Sequence, residues 1–297
     1  MLWKELSHME KNKPTLVILG QFQNGKSTLL NCLLGGEYAI QGEGLATTNC
    51  IVRYTMGDMP EIRAVSKNCR STVIGTLSKD GFLQCLKGMP DGASVTITAY
   101  SPFLETLDVI DSPGWGAKDK DNSTAEEALK AGDVFVYVLT KALDNLDIAF
   151  FKQIVKQNKT LFVVLNCMNE RKPNSSKAKE VTKEIWSKLV NAGFSRNCQA
   201  LYEGEFVFPV NLRWAEFALQ CASKETLNDI NDEIKGFFRS NNPDRGRVLV
   251  ESGLPALRRS IVTKTERLCR IPGIAPLGLL DRTWDLISND LLSIYRR

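Results

Sequence analysis

Residues 20 to 27 of the 297-residue chain read Gly-Gln-Phe-Gln-Asn-Gly-Lys-Ser, which satisfies the phosphate-binding pattern G-x-x-x-x-G-K-[ST] in full. Glycines let such a loop wrap close to an anion, and its successive N–H groups then face the anion's oxygens. Lys26 reaches the terminal phosphates and Ser27 supplies a hydroxyl to Mg²⁺. Gly20, Gln23, Asn24, Gly25, Lys26, Ser27 and Thr28 are therefore the candidate phosphate ligands. A second element, Asp111-Ser112-Pro113-Gly114, has the form D-x-x-G. It would set the Asp111 carboxylate near a metal-bound water and the Gly114 amide near a γ-phosphate. Between the two, Thr47 and Thr48 offer the hydroxyl and amide that mobile loops fold onto Mg²⁺ and the γ-phosphate. The metal candidates are Ser27, Thr48 and Asp111. Phosphoryl transfer depends on positioning and charge stabilisation more than on a strong base. Lys26 and Thr48, with Gln21 and Gln23 as water-holding loop residues, are the catalytic candidates. The single histidine, His8, argues against a Ser-His-Asp or Cys-His hydrolase.

These residues need a strand to carry them in and a helix to carry them out. Leu16 to Leu19 is an apolar run short enough for a buried strand, and Thr28 to Gly36 is a helix-like run stopped by glycines. Residues 134 to 139 and 161 to 165 are unbroken apolar runs, as strands covered on both faces require, and 206 to 210 add another. Leu146, Phe150 and Ile154 repeat at helical spacing, as do Ala178, Val181, Ile185 and Leu189. Residues 50 to 54, 61 to 65, 93 to 99 and 104 to 110 read as further strands, with a short helix over 80 to 87, and suggest an antiparallel extension of the sheet edge. The pattern predicts an α/β fold with a mainly parallel sheet flanked by helices and a nucleotide at the carboxyl ends of its strands. Three apolar seams in the tail read as helix-bundle packing: Leu227, Ile230 and Ile234; Leu254, Leu257, Ile261 and Leu268; Leu280, Trp284, Ile287, Leu291 and Ile294. Leu2, Trp3, Leu6 and Met9 would add an N-terminal turn to that bundle. The segment 271 to 280, rich in Pro and Gly and uncharged, reads as a hinge, with a membrane-touching loop as the alternative.

With 43% hydrophobic and 24% charged residues the composition is that of a globular protein. The net charge of +4 is small and the two signs are interleaved, so no nucleic-acid partner is expected. Eight cysteines stand singly without C-x-x-C spacing, which suggests reduced thiols and a cytoplasmic location rather than zinc or a disulfide framework. No apolar stretch approaches the roughly 18 residues of a membrane span, and charges near the N-terminus interrupt any signal-peptide core.

The sequence Gly-Lys-Ser-Thr-Leu-Leu-Asn at 25 to 31, Thr-Thr-Asn-Cys at 47 to 50 and Asp-Ser-Pro-Gly at 111 to 114 resembles the GTPase domain of the dynamin superfamily, and more closely its bacterial dynamin-like and mitofusin-like branch. The likeness covers roughly residues 14 to 270. It implies a P-loop GTPase that binds GTP and GDP with Mg²⁺, pairs with a second copy of itself across the nucleotide face, and drives a helical neck in membrane remodelling at a peripheral site. On this resemblance residues 1–13 form an N-terminal neck helix, 14–245 the GTPase domain and 246–297 a C-terminal neck segment. Thr48 matches the switch threonine, with Thr47 as second choice. Phe22 occupies the loop position at which eukaryotic dynamins carry a catalytic glutamine, and Trp115 stands where small signalling GTPases carry a water-orienting one.

Base recognition departs from the family. After the strand ending at Leu165 comes Asn166-Cys167-Met168-Asn169, where the family places a cationic stem at the second position and an aspartate at the fourth. An aspartate accepts from both guanine donors. Asn169 offers one acceptor and one donor, which leaves a guanine donor without a partner at about 1–3 kcal/mol. Glu170 would supply a carboxylate if the loop shifts by one residue. Asn211, after the last strand, is placed either to help at the base or ribose or to cap a helix. Two further readings compete: a nucleotide-binding switch or scaffold with weak hydrolysis and relaxed base specificity, and an ATP-dependent enzyme of another P-loop class.

Overall fold

The computed structural model describes residues 13–21, 23–39, 51–65, 72–76, 78, 80–81, 94–112, 128–156, 159–167, 172–194 and 207–268. Its centre is built from strands that can only be stable when covered on both sides. Every residue of β1 (Thr15–Gly20) and β7 (Val134–Leu139) is buried, as is all of β8 (Thr160–Asn166) after its first residue. β6 (Asp108–Asp111) lies on the other side of β1, and β9 (Val207–Val210) closes one edge; these five strands are parallel. β2 (Val52–Met56) reverses direction against β6, β5 (Ser94–Ala99) runs parallel to β2, and β3 (Glu61–Val65) and β4 (Thr72–Thr76) complete an antiparallel edge. The order is β4-β3-β5-β2-β6-β1-β7-β8-β9. The mainly parallel sheet with an antiparallel extension matches the sequence expectation. Because Val52 pairs with Asp111, β2 begins at the end of the sheet where β6 stops.

Successive side chains of a strand point to opposite faces, so each central strand feeds two cores. Leu16, Ile18, Val134, Val136, Val138 and Val164 pack under α1 (Lys26–Leu34), α4 (Leu212–Leu219) and α7 (Leu254–Leu268). Val17, Leu19, Phe135, Tyr137, Leu139 and Val163 pack under α2 (Asn145–Lys156) and α3 (Ser176–Leu189). A smaller outer cluster joins α4 to α5 (Lys224–Phe238) and α6 (Arg245–Glu251) through Trp214, Phe217, Ile230, Ile234 and Val248.

The structure corrects several local expectations. The strand expected over 104 to 110 begins only at Asp108, because Pro102 follows the capping Ser101 and starts a 3₁₀ turn over Pro102–Glu105. β4 was not foreseen; its Thr-Val-Ile-Gly-Thr is too short to stand out without its partner β3. Residues 80 and 81 are helical, and the rest of the expected 80 to 87 helix lies outside the described residues. Leu146 is 56% exposed, whereas Phe150, Phe151 and Ile154 face the sheet: a strict spacing of four drifts around a 3.6-residue helix. On α7 Thr265 continues the buried stripe, while Leu268, at the end of the helix, is 53% exposed.

The division at residue 245 is not a packing boundary. Val248 belongs to the outer cluster and Leu254, Leu257 and Ile261 to the main core, so the described part of 246–297 is integral to the α/β unit. The 1–13 segment, apart from Lys13, and residues 269–297 lie outside the described residues. Leu257→Ala, at a fully buried position, is expected to lower unfolding free energy by about 2–5 kcal/mol. Leu268→Ala should stay within about 0.5 kcal/mol. Chemical denaturation of the two variants checks both.

Candidate nucleotide site

The loop between β1 and α1 turns on two glycines that no other residue could replace without displacing a neighbour. Gly20 has φ +144°, and a Cβ there would stand 2.6 Å from the Val138 carbonyl; Gly25 has φ +95°, and a Cβ would meet the Asn166 amide at 2.7 Å. Between them Gln23 also adopts a left-handed φ of 63°, a conformation uncommon outside glycine and frequent at functional loops. Asn24 pins the loop to the neighbouring strand: its Nδ2 donates to the Val138 carbonyl at 2.9 Å, and its Oδ1 accepts from Thr140 Oγ1 at 3.4 Å. Asn166 Nδ2, at the end of β8, donates to the Asn24 carbonyl at 3.1 Å.

α1 opens at Gly25 with no side-chain cap and no acidic residue in its first turn. The first N–H groups of a helix lack intrahelical partners and carry the positive end of its dipole, so this end is suited to an anion. Lys26 Nζ donates to the Gln21 carbonyl at 3.1 Å. Burial pulls the lysine pKa down, and the Asp111 carboxylate opposes that shift. Burial also pushes the Asp111 carboxyl up to about 6, against the effect of Lys26, and its Oδ1 is buried without a hydrogen-bond partner. Ser112 Oγ donates to the Ile18 carbonyl at 3.0 Å and ties the end of β6 to β1. The unpartnered Asp111 carboxylate oxygen and the Ser27 hydroxyl are hard-oxygen donors of the kind Mg²⁺ takes.

The structure thus brings Gly20, Gln23, Asn24, Gly25, Lys26, Ser27, Thr28, Asp111 and Asn166 to one end of the sheet. Two expected roles change. Gln21, a water-holding candidate, directs its Nε2 to Asp144 Oδ2 at 2.8 Å and Asp147 Oδ1 at 3.2 Å, so in this conformation it is an anchor. Asn211 is 1% exposed and its Oδ1 accepts from the Trp214 N–H at 3.1 Å, which is the helix-capping alternative. Thr47, Thr48, Gly114, Trp115, Asn169, Glu170 and Phe22 lie outside the described residues. Asp144, Asp147, Tyr137 and Thr140 escaped sequence reading. The spacing of Asp144 and Asp147 signals only a helix start.

A Gly-rich loop between the first strand and helix of a mainly parallel sheet, with a half-buried lysine and aspartate beside it, defines a P-loop nucleotide-binding domain. A family model described as Dynamin family matches residues 16–168, about half of the chain. The chain belongs to the dynamin family. It is 26% identical over 221 residues to the probable transmembrane GTPase FZO-like, chloroplastic, of Arabidopsis thaliana, covering 72% of this chain and 21% of that protein. Dynamin-like protein A of Bacillus subtilis is 23% identical over 250 residues, 82% of this chain and 20% of that protein. Dynamin-like protein 2 of Campylobacter jejuni is 30% identical over 129 residues, 43% of this chain and 21% of that protein. The chain therefore spans about a fifth of the length of these relatives. A solved chain from an oligomerised bacterial dynamin pair, described as a mechanism for the long-range sensing and tethering of membranes, shares the fold. Its TM-score is 0.53 at 16% identity, over 99% of this chain and 53% of that one. Family membership implies binding of GTP or GDP and, at the level of the family, GTP hydrolysis. Among the described residues no helix is long and apolar enough to cross a membrane.

The raised Asp111 has a consequence for stability. Its folded pKa of about 6 exceeds the ordinary 3.8, so its charge opposes folding above pH 6, and that penalty fades as pH falls toward 4. Asp111→Asn should raise the melting temperature of the nucleotide-free protein at pH 8 by about 2–4 °C for each kcal/mol relieved. The gain should vanish near pH 4, and Mg²⁺-dependent nucleotide affinity should fall. Thermal melts across that range, with and without Mg²⁺-nucleotide, check the sign.

Proposed function

We propose that this chain is a GTPase domain that hydrolyses GTP to GDP and phosphate, pairs with a second copy when nucleotide is bound, and transmits that pairing through neighbouring helices in membrane remodelling. The observation that carries the reading is the pairing of the half-buried, partly desolvated Lys26 and Asp111 at the mouth of β1 and β6, beside a loop shaped by Gly20 and Gly25. A lysine held by one carbonyl keeps further N–H donors for phosphate oxygens. The uncapped amides of α1 would take the adjacent oxygens, and the fixed loop prevents the reorganisation that would otherwise oppose transition-state charge. Ser27 and Asp111 would hold Mg²⁺, which when bound neutralises charge on the phosphates. Thr48 is proposed as the switch residue that joins them. It stands three residues before Ile51, and Val52 pairs with Asp111, so chain reach of roughly 3.3–3.6 Å per residue allows the approach.

Self-association and the peripheral membrane role rest on family membership alone, as does the cytoplasmic location on the scattered thiols. Asn169 in place of an aspartate favours a second reading, a nucleotide switch with weak hydrolysis and relaxed base choice. Turnover at saturating GTP separates the two. Lys26→Ala should abolish measurable triphosphate binding in titration calorimetry while the protein keeps its folded circular-dichroism spectrum, because no apolar packing is lost. Thr48→Ala should keep GDP affinity and lose turnover, since its partner exists only in the triphosphate state.

Base choice gives a sharper test. Xanthine presents an oxygen where guanine presents an amine, so an asparagine that accepts from N1–H and donates to that oxygen suits xanthine. Asn169→Asp is expected to raise the GTP-over-XTP preference on the order of tenfold, the worth of one recovered hydrogen bond. Competition titration of the two nucleotides measures it. An unchanged ratio would move base reading to Glu170 or to a backbone group.

A further inference from the structure

A pair of aspartates outside the phosphate loop holds that loop in place. Asp144 precedes α2 and Asp147 lies in its first turn, and each accepts the other's backbone N–H: Asp144 N–H donates to Asp147 Oδ2 at 2.9 Å and Asp147 N–H to Asp144 Oδ1 at 2.9 Å. This reciprocal arrangement uses one oxygen of each carboxylate. The other two converge on Gln21, whose Nε2 donates to Asp144 Oδ2 at 2.8 Å and to Asp147 Oδ1 at 3.2 Å. Asp147 Oδ1 also accepts from the Tyr137 hydroxyl, and Tyr137 is fully buried in the middle of β7. All four carboxylate oxygens are therefore engaged, and both amide protons of Gln21 have a place to go.

The main chain of Gln21 makes a second set of contacts. Its carbonyl accepts from Lys26 Nζ at 3.1 Å and from the Asn24 N–H at 3.4 Å. One residue thus links the sheet core to the phosphate lysine along a path Tyr137, Asp147, Gln21, Lys26. Charge-assisted bonds to Gln21 are stronger than neutral ones, so the path is stiff. Nucleophile-facing glutamines, by contrast, keep their amide free to meet water.

We propose that Asp144 and Asp147 are positioning residues for triphosphate binding, acting through Gln21 to fix the carbonyl that presents Lys26 to the phosphates. This rests on the GTPase reading above. The contacts belong to residues distant in sequence, and their effect is on nucleotide affinity through loop order, with α2 serving as the mount.

An exchange of charge tests it, using equilibrium titration of the full chain with fluorescent GTP and GDP analogues and steady-state turnover. Gln21→Glu sets a third carboxylate against two and should weaken both nucleotides by at least about tenfold, with the loss falling on affinity and KM more than on kcat. Adding Asp144→Asn returns an amide to the pair from the other side, and affinity should recover to within about threefold of wild type. Gln21→Met, which removes the donor without adding charge, should weaken binding on the order of fivefold and serves where Gln21→Glu fails to fold. Wild-type affinity in Gln21→Glu or Gln21→Met together with lost kcat would overturn the proposal in favour of water orientation. A double variant no better than Gln21→Glu would overturn it as well. Wild-type protein that binds no guanine nucleotide would instead overturn the GTPase reading, and this proposal with it.

Discussion

Two opposite charges, half-buried at the start of α1 and the end of β6, set the terms for the whole domain. Lys26 and Asp111 are both shifted toward neutrality by loss of water, and each partly restrains the shift of the other. Charges in such a place are costly unless something is built to use them. The surroundings are built for that. Ser112 fastens β6 to β1, Asn24 and Asn166 fasten the loop to β7 and β8, and two apolar cores cover the two faces of the sheet. The domain keeps a poorly satisfied pair at one point and compensates with dense packing elsewhere, as sites that bind charged ligands often do.

The loop itself shows how local geometry and distant packing share the work. Gly20 and Gly25 permit the turn, yet what they permit is close approach to Val138 and Asn166, residues more than a hundred positions away. Their value is therefore tertiary. A loop with the same glycines but without β7 and β8 beside it would have no reason to hold one conformation.

Much of this was legible in the sequence because it is written locally. Leu16 to Leu19 before the loop, and the unbroken runs 134 to 139 and 161 to 165, could only be strands covered on both faces, and the α/β fold follows from their alternation with helices. Residues 20 to 28 and Asp111 could be placed for the same reason. What failed is what depends on partners. Gln21 reads as a polar loop residue until Asp144 and Asp147 are seen beside it, and Asn211 is undecided until Trp214 shows that it caps α4. Leu146 and Leu268 fit an apolar repeat, but each stands at the end of its helix, where the repeat does not tell whether the core still reaches. The tail looked separate because an amphipathic seam says that a helix packs, not against what.

α7 gives that tail a mechanical meaning. Ser252, just before it, accepts the Asn211 N–H at the carboxyl end of β9. Farther along, Arg258 lies over the Phe103 ring, beside the entry to β6 and the opposite rim of the sheet. The helix is a rod of fifteen residues, about 22 Å at 1.5 Å per residue, tied at its start to the carboxyl end of β9 and laid on the main core through Leu254, Leu257 and Ile261. A rod so mounted converts angle into travel: tilting it by about 5° carries its tip about 2 Å, a distance set by its length and independent of which contact produced the tilt. Whatever is attached beyond Leu268 moves by the gain of that arm.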